Sequence, residues 1–115
     1  MLDDVTRLKQ SSARVVMIAF GETQIELFQF TTPTPAPMNP KRPVCDHGIT
    51  HLCFNVTDIE GEYKRLVAAG IEFHCSPQQA TPGVRTTYGR DPDGNVFELL
   101  EVESEVTLND LEIPA

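Results

Sequence analysis

Residues Arg90 to Glu103 read RDPDGNVFELLEVE, and how this stretch divides decides the fold. Asp91-Pro92-Asp93-Gly94 is a turn. Proline pre-sets the backbone angle of the second turn position, and Gly94 takes the positive φ that closes a hairpin. The strand that follows does not alternate cleanly between apolar and polar. Val96, Glu98, Leu100 and Val102 share one face, and Phe97, Leu99 and Glu101 share the other. Glu98 therefore sits among apolar neighbours with an apolar face behind it. A carboxylate in that position is costly unless something pairs with it. The candidates are an ion pair with Arg85 or Arg90, or a bound cation.

The 115 residues are enough for one small domain with a genuine core, and too few for two. A hydrophobic content of 40% with 23% charged residues is ordinary for a globular chain, which excludes wholesale disorder. Nine basic residues against 17 acidic ones give a net charge of −8, which argues against nucleic acid or an anionic membrane as partner. Cys45, Cys53 and Cys75 show no CxxC spacing and follow no signal-like segment, so they read as reduced thiols of a cytoplasmic protein. No apolar run approaches the ~20 residues that span a bilayer.

Upstream, VTRLK (5–9) reads as a strand, and ARVVMIAF (13–20) as a buried one. In TQIELFQF (23–30), Ile25 and Leu27 face one way and Glu26, Phe28 and Phe30 the other, so a carboxylate again interrupts an apolar strand surface. Residues 31–43 hold five of the nine prolines and form an extended linker. GITHLCFNV (48–56) is a strand with Ile49, His51, Cys53 and Asn55 on one face. Thr57 to Glu60 fits a capping box for a helix over about 58–69, whose stripe is Ile59, Tyr63, Leu66 and Val67 and whose stop is Gly70. IEFHCS, a polar loop SPQQATPG, GVRTTYGRD and the last strand complete the order strand, helix, strand, strand, strand.

Glu26, His51 and Glu98 thus each lie near the middle of a strand, on faces that are otherwise apolar or uncharged. Brought together, two carboxylates and a neutral imidazole make an N/O ligand set suited to Zn, Ni, Co, Mn or Fe. Each has a plainer reading. His51 as a hydrogen-bonded structural residue, Glu26 as a solvated edge residue and Glu98 as an arginine partner would need no metal. His47 and His74 read as loop or solvent-facing residues, Cys53 as a small buried thiol, and Phe28, Phe30 and Tyr88 as core or pocket walls.

GITHLCFNVTDIEGEYKRLVAAGIEF together with GVRTTYGRDPDGNVFELLE resembles the vicinal oxygen chelate superfamily: glyoxalase I, bleomycin-resistance proteins, extradiol dioxygenases and methylmalonyl-CoA epimerase. The resemblance covers about residues 13–103. It implies an α+β fold in which two βαβββ modules form a cupped mixed sheet around a divalent metal, each module giving one ligand from its first strand and one from its last. Carried over by position, His51 and Glu98 are the second module's pair and Glu26 is the first module's last-strand ligand. In these terms residues 1–30 are a partial first module, 31–47 a Pro-rich linker, 48–103 a complete second module and 104–115 an acidic tail, all within one domain. The first module's opening strand and helix are missing from the pattern. An apolar, helix-facing surface including some of Val15, Met17, Ala19, Ile25 and Leu27 is then left to be covered by a second copy in a homodimer, or by Val106, Leu108, Leu111 and Ile113 of the tail.

The resemblance further implies a metal-dependent lyase or isomerase. Two adjacent oxygens of a small molecule chelate the cation, and Glu98 or Glu26 removes a proton from the neighbouring carbon. The competing reading is a protein of the bleomycin-resistance type, which sequesters a small-molecule ligand without metal or turnover.

Overall fold

A computed structural model describes residues 1–104 of the chain. The tail residues expected to cover apolar surface, Val106, Leu108, Leu111 and Ile113, lie outside the described residues. The chain divides into two compact units, residues 1–37 and residues from 38 onward. The architecture is α+β. No helix among the described residues is long and apolar enough to cross a membrane.

In the first unit, a one-turn helix α1 (Leu2–Thr6) leads into the antiparallel hairpin β1 (Ser12–Phe20) and β2 (Thr23–Thr32). The expected strand over residues 5–9 is not formed. Arg7 and Gln10 take positive φ (57° and 52°), which no strand continues through. The Asp3 carboxylate stabilises this bend by accepting from the backbone N–H groups of Gln10 and Ser11, each at 2.8 Å, and from the Ser11 hydroxyl. Those hydrogen bonds, the Ser11 hydroxyl's first, hold the Asp3 carboxyl below its ordinary pKa.

The register sets Val15 opposite Phe28, Val16 opposite Leu27, Met17 opposite Glu26 and Ile18 opposite Ile25. Cross-strand partners share a face. Val15, Met17 and Ala19 therefore lie with Glu26 and Phe28, while Ile25 and Leu27 lie with Val16 and Ile18. The single apolar surface expected from sequence is in fact divided between two faces. Nor is β1 buried: Val16 is 55% exposed and Met17 51%, and Leu27 of β2 is 52% exposed, since a two-stranded ribbon has no second layer of its own.

The second unit is a five-stranded mixed sheet with one helix. Its elements are β3 (His51–Asn55), α2 (Ile59–Ala68), β4 (Glu72–Phe73), β5 (Gln78–Thr81), β6 (Val84–Arg90) and β7 (Val96–Val102). The order is β3-β7-β6-β4, with β5 also on the outer edge of β6. β3 runs parallel to β7, and the other pairs are antiparallel. The loop expected over 76–83 thus contributes a short strand, and the unit has one strand more than the sequence order implied.

Asp58 rather than Thr57 caps α2, its carboxylate accepting from Gly61 N–H at 3.0 Å. Gly70 ends the helix as expected, with φ 92° and its N–H donating to the Val67 carbonyl at 3.0 Å. On the helical stripe Ile59 is fully buried, Tyr63 and Leu66 are half-buried, and Val67 is exposed.

α2 packs on the face of the sheet that carries Phe97 and Leu99. Tyr63 meets Phe73 edge-on at 4.9 Å, Phe73 meets Phe97 edge-on at 5.6 Å, and Arg85 pairs with Glu60 of the helix. Gly89 leaves the space these rings fill, for a Cβ there would come within 2.6 Å of the Phe97 ring. The core of this face includes Ile59 and Leu99, and Thr87 is buried with its hydroxyl donating to the Cys75 carbonyl at 2.6 Å.

Between β6 and β7, Asp91 gathers the turn. Its carboxylate accepts from Asp93 N–H, Asn95 N–H and the Asn95 amide, and Gly94 has φ 93°. Arg90 then ties the turn to the segment before β3, donating to the carbonyls of Gly94 (3.0 Å), Pro40 (3.3 Å) and Arg42 (2.9 Å) and to His74 Nε2 (3.1 Å).

Candidate functional site

The face of the sheet away from α2 carries the polar groups. Strand alternation puts His51 and Cys53 of β3, Thr86 and Tyr88 of β6, and Glu98 of β7 on this one side. The register brings them level, with Cys53 opposite Glu98 on one flank of β7 and Tyr88 opposite Glu98 on the other. Three strands thereby converge on one carboxylate.

Glu98 is 15% exposed at its side chain, and its two oxygens have different neighbours. Oε1 accepts a 2.5 Å hydrogen bond from the Thr86 hydroxyl. Oε2 lies 3.3 Å from His51 Nε2. The same Nε2 is 3.2 Å from the Tyr88 hydroxyl, with the two rings 4.7 Å apart, and Nδ1 is 2.7 Å from the Thr50 hydroxyl.

Neither arginine offered as an alternative partner reaches Glu98. Arg85 belongs to the helix side, where it meets Glu60, and Arg90 spends its donors on three carbonyls and His74.

Electrostatics mark the same spot. Cys53 is exposed rather than the buried thiol expected from sequence, yet partial burial of its sulfur, then the neighbouring Glu98 charge and its hydrogen bond, push the thiol up to about 11. Burial, the Glu98 charge and Cys53 likewise raise the Tyr88 phenol. Both groups stay protonated at neutral pH.

Nε2 and Oε2 are both acceptor atoms when the imidazole is neutral on that side and the carboxylate ionised. Two such atoms 3.3 Å apart need positive charge between them. A proton on Nε2 supplies it, and so does a cation. Two ligand bonds of about 2.0–2.2 Å to one ion place their donor atoms roughly 3.0–3.5 Å apart. The His51–Glu98 pair therefore fits two positions of a metal's coordination shell, with the Thr86 and Thr50 hydroxyls orienting the ligands from behind.

Of the three residues read from sequence, His51 and Glu98 are thus brought together. Glu26 belongs to the first unit, where it stands exposed on β2 opposite Met17. Among the described residues no group of three or more His, Cys, Asp or Glu side chains is arranged to hold a metal ion. Sequence reading missed Thr86 and Thr50, and took Tyr88 only as a wall. The signal was present in the turn: a hairpin closed over residues 91–95 fixes Tyr88 opposite Glu98 and sends Thr86 to the same face.

The sequence profile described as the Glyoxalase/Bleomycin resistance protein/Dioxygenase superfamily matches residues 1–99. The chain belongs to this superfamily. Uncharacterized protein YaeR of Escherichia coli K12 is 35% identical over 83 residues, covering 70% of this chain, which spans 60% of that relative's length. Among solved structures, a glyoxalase family protein from Bacillus cereus superposes with a TM-score of 0.81 at 28% identity, over 88% of this chain and 69% of its own. A glyoxalase family protein from Enterococcus faecalis does so with a TM-score of 0.58 at 26% identity, over 81% and 75%. These likenesses agree with the vicinal oxygen chelate resemblance and with its α+β fold.

Proposed function

We propose that this superfamily member is a metal-dependent lyase or isomerase acting on a small molecule with two adjacent oxygens. The observation that carries the reading is the 3.3 Å approach of His51 Nε2 to Glu98 Oε2 on the face away from α2. His51 and Glu98 would hold a divalent ion, with Glu26 retained as third ligand on the sequence pattern. Zn, Ni, Co, Mn and Fe all accept such N/O donors. The bound cation would polarise the two substrate oxygens and so acidify the carbon beside them.

The chain's own groups supply the rest. Thr86 fixes Oε1, so the carboxylate turns Oε2 toward His51 and toward any ligand placed there. A glutamate in this position takes the proton: Glu98, whose neighbouring Cys53 and Tyr88 are held in their neutral forms, or Glu26. Two carboxylates with one histidine suit proton transfer better than oxygen activation, which favours two histidines and one carboxylate. The working form is a homodimer in the cytoplasm. A second copy would cover the apolar hairpin of the first unit, and the three free thiols suit a reducing compartment.

The test is deuterium incorporation from heavy water into a panel of small α-hydroxyketones and 2-oxoaldehydes, followed by NMR with metal-loaded chain. Exchange at the carbon beside the two oxygens, lost in Glu98→Gln, is the expected result. Saturable binding of a small molecule with no exchange in any metal form would contradict it and favour the sequestering, bleomycin-resistance-type reading.

A further inference from the structure

Arg42 and Arg90 line one cavity of about 110 Å³, walled by the segment before β3 and by the turn between β6 and β7, all within the second unit. Both side chains are half-buried, and among the described residues neither forms an ion pair with an Asp or Glu. In a chain with 17 acidic residues to nine basic ones, two arginines left without a carboxylate call for a reason. Arg90 gives its N–H groups to three carbonyls and His74, which solvate the guanidinium without neutralising it. Arg42 donates through Nη2 to the His47 carbonyl at 2.5 Å, and a guanidinium has five N–H groups, so donors remain.

The walls add no competing anion. None of the described lining residues is acidic, and the turn's own carboxylate, Asp91, accepts from Asp93 and Asn95. The Thr50 hydroxyl is committed to His51 Nδ1 at 2.7 Å. Much of the remaining wall is apolar and uncovered: Ile49 is 90% exposed and Val44 37%. Positive charge with free donors beside an uncovered apolar rim is complementary to a molecule with an anionic head and a hydrocarbon body.

We propose that this cavity binds a small carboxylate with a short apolar chain. The carboxylate accepts from the free N–H groups of Arg42, in the field of the Arg90 charge, and the chain lies against Ile49 and Val44. The volume is well below the roughly 300–1,000 Å³ that holds a drug-sized ligand, so the guest is a molecule of a few carbons. The site is separate from the His51–Glu98 pair and needs no metal.

The test is nitrogen-15 NMR of the full-length, chelator-treated chain titrated with butyrate, and in parallel with 1-butanol, which has the same carbon chain and no charge. Butyrate is expected to give saturable shifts at the Arg42 Nε–H and at the amides of residues 42–50 and 94–96, and butanol none. Arg42→Gln removes the charge-assisted bonds and should weaken butyrate by about ten- to a hundredfold. Val44→Asp changes an exposed position and so leaves the core intact, but sets a negative charge at the rim and should abolish binding. Equal shifts with butanol would reduce the cavity to an apolar pocket and overturn the proposal. So would butyrate affinity unchanged in both variants, or the absence of any saturable shift.

Discussion

At the scale of single residues, the half-buried carboxylate in VFELLEV is satisfied by a histidine and a threonine from two neighbouring strands. The Thr86 bond is charge-assisted and half-buried, so Thr86→Val should cost about 1–2 kcal/mol in urea unfolding. Thr86→Ser should keep most of that stability; a Thr86→Val chain as stable as wild type would instead remove Thr86 as Glu98's support. The Cys53 thiol gives a pH test. With Cys45 and Cys75 replaced by serine, its alkylation by iodoacetamide should titrate near 11, and Glu98→Gln should bring the midpoint back toward 9.0. The sign follows from burial and the adjacent negative charge. Between those two values the folded chain keeps a proton that the unfolded chain releases, so stability falls as pH rises through that window. The problem posed by Glu98 was legible in the sequence, and the family resemblance set His51 beside it, whereas Thr86 was not foreseen and residue patterning alone left Arg85 and Arg90 open as partners. Parity along β6 alone sends Arg85 to the helix side, but Arg90 shares Glu98's face. Only the carbonyls of Pro40, Arg42 and Gly94, distant in sequence or set by turn geometry, show why Arg90 is unavailable.

At the scale of elements, the pieces read correctly were those whose signals are local. The α2 stripe, its stop at Gly70 and the DPDG turn depend on residues a few positions apart. Elements that depend on a neighbour were read less well. β5 is polar and short and exists because β6 offers an edge, while VTRLK has strand-forming residues that the Asp3 bend overrides. The turn supports a sharp prediction. A Cβ on Gly94 would lie 2.5 Å from Pro40 Cα, at a φ of 93° that side chains rarely adopt. Gly94→Ala should therefore lower stability by about 1–3 kcal/mol and loosen the segment before β3, seen as faster amide exchange around residues 40–44. Unchanged stability and exchange would mean that the clamp on Pro40 does not constrain the chain. Asp3→Asn should similarly weaken the N-terminal bend, and the wild-type bend should loosen on acidification, as the carboxylate protonates below its ordinary range.

At the scale of the whole molecule, the two units differ in how much they bury by themselves. The second sheet has a helix on one face. The hairpin of the first unit has apolar residues exposed on both faces, including Val16, Met17 and Leu27, and two strands alone are only marginally stable in water. A homodimer that covers the hairpin predicts a mass of two chains in sedimentation at micromolar concentration, and dissociation or aggregation in Val16→Lys/Leu27→Lys. A wild-type chain that sediments as a stable monomer would remove the dimer from the account. The central claim, however, concerns His51 and Glu98, and its most direct test is metal content. Protein purified without chelator should carry near-stoichiometric divalent metal by elemental analysis, and both His51→Ala and Glu98→Gln should lose it while remaining folded. Wild type that holds no metal and takes none up when offered Zn, Ni, Co, Mn or Fe would contradict the claim.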